Sequence, residues 1–107
     1  MECLNKVQLK GWVGNSQVST FGATKVNRFS LATNYAFRDR NGDPIIETTW
    51  HRCLVWDRPD LPDIEKIVKG AKVELEGRIR AGKYTGADGV EASYWEILVQ
   101  NFKVLDD

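Results

Sequence analysis

Trp50, Arg52 and Trp56 stand two and four residues apart in the run Thr49-Trp50-His51-Arg52-Cys53-Leu54-Val55-Trp56, which is rich in β-branched and aromatic side chains. In an extended strand the side chains alternate faces with a period of two. Trp50, Arg52, Leu54 and Trp56 therefore share one face, and Thr49, His51, Cys53 and Val55 share the other. An indole offers a flat π surface, and a guanidinium can both stack and meet an anion. Two indoles with an arginine between them suit unstacked nucleic-acid bases, at about 1–3 kcal/mol per stacked base. Tryptophans in small β proteins are more often core than platform. This chain, however, has four tryptophans in 107 residues. Val7, Leu9, Phe29, Leu31, Val73, Leu75 and Ile97 can already fill a small interior, which favours exposure of Trp50 and Trp56.

Two more aromatics lie where loops are expected. Phe37 precedes Arg38-Asp39-Arg40, and Tyr84 follows Lys83 shortly after Arg78 and Arg80. Aromatic rings beside basic residues at loop tips fit a groove that tracks a charged backbone. His51 is the sole histidine, and no nucleophile elbow, phosphate-cradling glycine loop or metal-spaced cluster accompanies it. The expectation is a protein with no enzymatic chemistry, no cofactor and no metal, in which His51 is hydrogen-bonded or lies at an interface. Asp57, Asp60 and Asp63 read as solvated loop and helix-start carboxylates.

The elements that must carry these residues are strands. Val7, Leu9, Gly11 and Val13 alternate with Gln8, Lys10 and Trp12, and Phe29, Leu31 and Thr33 alternate with Arg28, Ser30 and Ala32. Asn41-Gly42 marks a tight hairpin needing positive φ angles, followed by a strand from about Ile46 to Trp56. Val73, Leu75 and Ile79 alternate with charged residues, and a last strand runs from Tyr94 to Leu105 after a loop containing Asp88-Gly89. Leu61, Ile64, Ile67 and Val68 recur at helical spacing, with Pro62 near the start and Gly70 just past the end, which predicts a short amphipathic helix. The reading is an all-β domain spanning 1–107: a five-stranded barrel of OB type, with one short helix between strands three and four.

Composition bounds the function. With 15 basic and 15 acidic residues the net charge is zero, so bulk charge lends no support to nucleic-acid binding. Its distribution does: eight basic residues face five acidic ones through Arg58, against seven and ten beyond it. A neutral total is compatible with a basic groove. No apolar run is long enough to span a membrane as a helix. The start, Met1-Glu2-Cys3-Leu4-Asn5-Lys6, carries no apolar signal region, which predicts a cytoplasmic protein. Cys3 and Cys53, fifty positions apart, read as reduced thiols.

Several segments, in order along nearly the whole chain, resemble the bacterial single-stranded DNA-binding proteins. They are Asn5-Lys6-Val7, Gly14-Asn15, Phe29-Ser30-Leu31-Ala32-Thr33, Thr49-Trp50-His51-Arg52, Lys69-Gly70 before Val73, and Glu76-Gly77-Arg78-Ile79-Arg80 with Lys83-Tyr84-Thr85. The Trp-His-Arg step is the most diagnostic. The resemblance implies an OB fold, commonly a homotetramer, that wraps single-stranded DNA without strict sequence preference in replication, recombination or repair. By motif position, Phe37, Trp50, Trp56 and Tyr84 would stack on bases. Lys6, Arg52, Arg58, Lys69, Arg80 and Lys83 would contact phosphates, and His51 would lie at a subunit interface.

Three departures refine the expectation. The connection from Asn15 to Asn27 is shorter than the family usually shows. Gly82 stands where a basic residue is common. The sequence stops at Leu105-Asp106-Asp107, where the family continues through a flexible linker to an acidic, enzyme-recruiting tip, so a short, tailless form is expected. Two rival readings are a primosome-type dimer working mainly through protein contacts at replication restart, and a structural OB subunit that binds protein only.

Overall fold

The computed structural model describes residues 2–105; Asp106 and Asp107, at which the tailless form was read, lie outside the described residues. Five strands account for most of them: β1 (Val7–Phe21), β2 (Thr24–Arg38), β3 (Pro44–Trp56), β4 (Lys72–Thr85) and β5 (Glu91–Leu105). They close into a barrel in the order β1-β2-β3-β5-β4, with β4 pairing back onto β1. All contacts are antiparallel except the short parallel join of β3 to β5, through Cys53 with Ile97 and Leu54 with Leu98. The all-β, five-stranded barrel is the one the alternating sequence predicts.

The strands run longer than the alternation alone suggests, so three hairpins project beyond the barrel wall. The span from Asn15 to Asn27, which reads as a shortened connection, is a continuous ladder ending in the pair Phe21–Thr24. Gly22, at φ 61, makes its two-residue turn with Ala23, a geometry in which only the first central residue has positive φ. The Asn41-Gly42 turn is looser than the sequence predicts. Gly42 alone takes positive φ (83°), and the Asp39 carboxylate accepts from the backbone N–H groups of Asn41 and Asp43 at 2.9 and 3.0 Å.

The expected helix is absent. Between β3 and β4 the chain makes only a single 3-10 turn, Ile64–Lys66, begun by Asp63, whose side chain accepts from the Glu65 N–H at 2.9 Å. Ile67 is already extended, at φ −80 and ψ 93. The apolar spacing that suggested a helix is used differently: Ile64 and Ile67 both insert fully into the core. They meet the inner face of the barrel, where Val13, Phe29, Leu31, Cys53, Val55, Val73, Leu75, Ile97, Val99 and Phe102 converge. Burying each isoleucine contributes about 1.5–3 kcal/mol. Asn27, fully buried on β2, donates from Nδ2 to the carbonyls of Ile64 (2.8 Å) and Ile67 (3.2 Å) and fastens the turn to the barrel.

Two register shifts decide which side chains face out. One lies between Val13 and Asn15 of β1, and the other at Glu76/Gly77 opposite the Val99–Asn101 step of β5. A bulge inserts one residue and reverses the parity of everything beyond it. On β1, Trp12 faces outward before the shift and Asn15, Gln17, Ser19 and Phe21 after it. At the start of the same strand the Asn5 side chain extends the β1–β4 ladder. Its Nδ2 donates to the Ile79 carbonyl at 2.6 Å, and its Oδ1 accepts from the Ile79 N–H at 2.9 Å. That gives the Asn5-Lys6-Val7 segment a structural role.

Candidate nucleic-acid interface

The outer face of β3 carries Trp50, Arg52, Leu54 and Trp56, as the alternation requires. Its partners on β2 are Ala32, Ser30, Arg28 and Val26. Leu54 is buried, while Trp50 is 60% and Trp56 36% exposed. The two tryptophans therefore stand about 20 Å apart along one strand, and each gathers a different set of neighbours.

Around Trp50 the cluster is aromatic and cationic. The Arg52 guanidinium sits 5.0 Å above the Tyr94 ring of β5, and Tyr94 lies 6.1 Å from Tyr84 of β4. Tyr94 can lie flat against β4 because Gly82 has no side chain; a Cβ there would come 2.7 Å from Cε2 of the tyrosine and overlap the ring. Gly82 thus seats an aromatic ring. Arg52, Tyr94 and Tyr84 follow one another across three strands, with Trp50 beside Arg52 on the same face of β3. Beneath them lies an open groove of about 940 Å³, lined among others by Asn15, Gln17, Arg28, Ser30 and Glu96.

At the far end Trp56 meets Phe21 of the β1–β2 hairpin at 6.0 Å between ring centres. Between the two aromatic ends runs the register row Gln17, Arg28, Leu54, Leu98, Arg78. It sets one exposed arginine on each side of an apolar floor. Phe37 is exposed but lies apart from the Trp50 row. It contacts Tyr35 at 6.1 Å, and register puts it on the opposite face of the β2–β3 hairpin from Ala32 and Trp50.

The six candidate cations differ in what they already hold. Lys6 lies 3.7 Å from Glu76 and Lys83 3.4 Å from Glu91, with all four side chains largely in solvent. Such pairs are worth about 0–1 kcal/mol and exchange readily for a phosphate. Arg58 pairs with Asp60 at 3.1 Å and donates to the Gln100 carbonyl at 2.7 Å. Arg80 donates from Nε to Glu96 at 2.8 Å, and that carboxylate is buried. This pair is fixed, because a buried carboxylate released from its arginine would be left uncompensated. Lys69 is exposed beside Gly70, and Arg52 lies over Tyr94.

His51 points away from Trp50. Its Nε2 lies 2.8 Å from the Thr33 hydroxyl, and desolvation by burial holds its pKa below the usual 6.5. A half-exposed apolar patch of Val7, Ile79 and Trp95 shares that side, with Trp95 72% exposed. Cys53, next along the same side, is in the core, and burial pushes its thiol pKa up to about 12. Among the described residues no group of three His, Cys, Asp or Glu is placed to hold a metal ion, and no helix is long and apolar enough to cross a membrane.

Sequence reasoning missed Trp12, Phe21, Arg28, Arg78, Tyr94 and Trp95 as candidates. The alternation of β2 could have found Arg28, since it shares parity with Ala32. The others depend on cross-strand register or on the bulges, which no local pattern reveals.

A closed five-stranded barrel in this strand order defines an OB-fold protein, here with an aromatic and cationic outer wall. Residues 4–105 match the single-strand binding protein family, and the chain belongs to it. A single-stranded DNA-binding protein of Neisseria meningitidis serogroup A is 36% identical over 106 residues, covering 95% of this chain and 60% of that protein. A mitochondrial single-stranded DNA-binding protein of Xenopus laevis is 38% identical over 115 residues, 97% of this chain and 78% of that one. The Plasmodium falciparum SSB solved in complex with ssDNA superposes with a TM-score of 0.85 at 32% identity, over 99% of this chain and 98% of that chain. The single-stranded DNA binding protein of Thermus aquaticus shares the fold, with a TM-score of 0.75 at 24% identity over 96% of this chain and 51% of that chain. The chain thus spans about 60% of the length of the Neisseria relative.

Proposed function

We propose that this protein binds single-stranded DNA without strict sequence preference, covering it during replication, recombination or repair. The observation that carries the reading is the row Trp50, Arg52, Tyr94, Tyr84 on one open face, with Arg28 and Arg78 astride the path toward Trp56 and Phe21. Every base has a π face, so a row of rings accepts any sequence. The arginines hold the backbone through charge, which is equally indifferent to sequence. The family membership and the Plasmodium complex with ssDNA support the same reading. It is a binding function, carried out in the cytoplasm, with no bond made or broken.

Self-association belongs to the proposal. Val7, Ile79 and Trp95 line an apolar hollow beside His51 that a second copy could cover. A homotetramer is the expected assembly, and a mass measurement in solution tests it. Titration with oligo(dT), followed by tryptophan fluorescence at two salt concentrations, tests the main reading. Quenching that weakens with added salt is expected. Unchanged fluorescence and no binding would instead assign the barrel to protein contacts alone.

A further inference from the structure

Trp12 is a large aromatic side chain on β1 that the core does not use, 45% exposed on the outer face. It pairs with Ala32 of β2 on one side and Lys72 of β4 on the other, and Ala32 in turn pairs with Trp50. Trp12 and Trp50 are therefore neighbours across a single small residue, about 10 Å apart at the backbone. The Trp50 ring reaches across β2 to the same strand, where it lies over Gly14, two residues along β1 from Trp12. The Lys72 ammonium lies 5.2 Å from the centre of the Trp12 ring, so a cation stands at the edge of this second platform.

We propose that Trp12 and Lys72 form a further nucleotide station, at which the strand leaving Trp50 stacks one base on Trp12 and sets its phosphate against Lys72. The station rests on the reading of the outer face as a single-stranded DNA path. It extends that path across β2 and β1 toward β4, away from Tyr94 and Tyr84. An aromatic ring there has a ligand's use, since its contact with Lys72 adds only about 0.5–1 kcal/mol to the fold.

The experiment compares wild type, Trp12→Ala, Lys72→Gln and Trp50→Ala on oligo(dT) of increasing length. Trp50→Ala should weaken binding at every length. Trp12→Ala should match wild type on the shortest oligonucleotides that bind, then fall behind by about 5- to 150-fold once the strand reaches β1. Lys72→Gln should lower the salt slope on the long strands and leave it unchanged on the short ones. Photocrosslinking of halogenated deoxyuridine oligonucleotides to the wild-type protein should label Trp12, a readout independent of whether the variants fold. A Trp12→Ala protein that equals wild type at all lengths, with no label on Trp12 while Trp50 is labelled, overturns the station and leaves the stacking face intact. A Trp12→Ala protein with altered oligomeric mass and unaltered affinity assigns the ring to a subunit contact and also overturns it. Failure of wild type to bind any length removes the underlying reading.

Discussion

The indole of Trp50 lies across Gly14, and a Cβ at that glycine would overlap the ring edge and stand 2.8 Å from Cη2 and 3.0 Å from the Ser30 hydroxyl. Gly14 sits in the β1 register shift between Val13 and Asn15. A strand bends locally at a bulge, and bulges recur where a side chain must be re-aimed. Here the bend and the missing side chain together let a β3 ring reach across β2 onto β1. The setting of the exposed Trp50 ring is thus shaped by Gly14.

Gly14→Ala should therefore act on binding more than on folding. The added methyl must displace the Trp50 ring, and because that ring is mostly in solvent it can swing away without opening the core. Thermal unfolding should shift by only a few degrees. Affinity for oligo(dT) should fall by as much as one stack, about 1–3 kcal/mol. Fluorescence titration beside a melting curve checks this. Wild-type affinity in Gly14→Ala would sink the account.

Arg28, Arg78 and Arg80 are indistinguishable as sequence letters and occupy different situations. Arg28 and Arg78 project from the outer face, whereas Arg80 holds the buried Glu96 carboxylate at 2.8 Å. Arg28→Ala and Arg78→Ala should each reduce the slope of log affinity against log salt by about 0.7, with unchanged stability. Arg80→Ala should instead cost about 1–3 kcal/mol of folding free energy by leaving Glu96 without its donor, a cost tempered by the partial exposure of the arginine. Urea unfolding should show that loss, and Arg80→Ala/Glu96→Gln should recover part of it. Equal stability losses in all three single variants would refute the distinction.

Asn27 explains why a predicted helix became a turn. Leu61, Ile64, Ile67 and Val68 have a helical period, but a spacing of three also suits a 3-10 turn whose apolar residues enter one core. The Ile64 carbonyl accepts from the Ile67 N–H within the turn and from Asn27, 37 residues away, and the Ile67 carbonyl accepts from Asn27, 40 residues away. No local pattern contains that information. The same limit hid Trp12 and Tyr94, whose roles follow from bulges and cross-strand register. Period-two alternation within β3, by contrast, placed Trp50 and His51 on opposite faces, because parity along an unbroken strand is a local property. Asn27→Ala should destabilise the protein by about 1–3 kcal/mol, because the buried Ile67 carbonyl loses its Asn27 donor while the Ile64 carbonyl keeps only the Ile67 N–H. The β3–β4 connection should then exchange its amide hydrogens faster. A melting temperature within about 2 °C of wild type would be incompatible with this fastening role.

His51 supplies a pH dependence whose sign can be worked out. Burial holds its folded pKa below the unfolded value of 6.5, so the folded state resists a proton that the unfolded chain accepts. Above pH 6.5 both states are neutral, and the group contributes no pH dependence. As pH falls below 6.5 toward the lower folded value, the unfolded chain binds more protons and stability declines; below that value the loss levels off. Thr33 holds Nε2 at 2.8 Å, and the apolar patch of Val7, Ile79 and Trp95 shares the same side. If a second copy covers that patch, charging the ring should also loosen the assembly in the same window. Wild type should therefore lose more stability between pH 7.5 and 5.5 than His51→Asn does, since asparagine keeps a polar contact to Thr33 but does not titrate. Matched melting and mass measurements at both pH values provide the check. Identical pH slopes for the two proteins would exclude His51 as the titrating group.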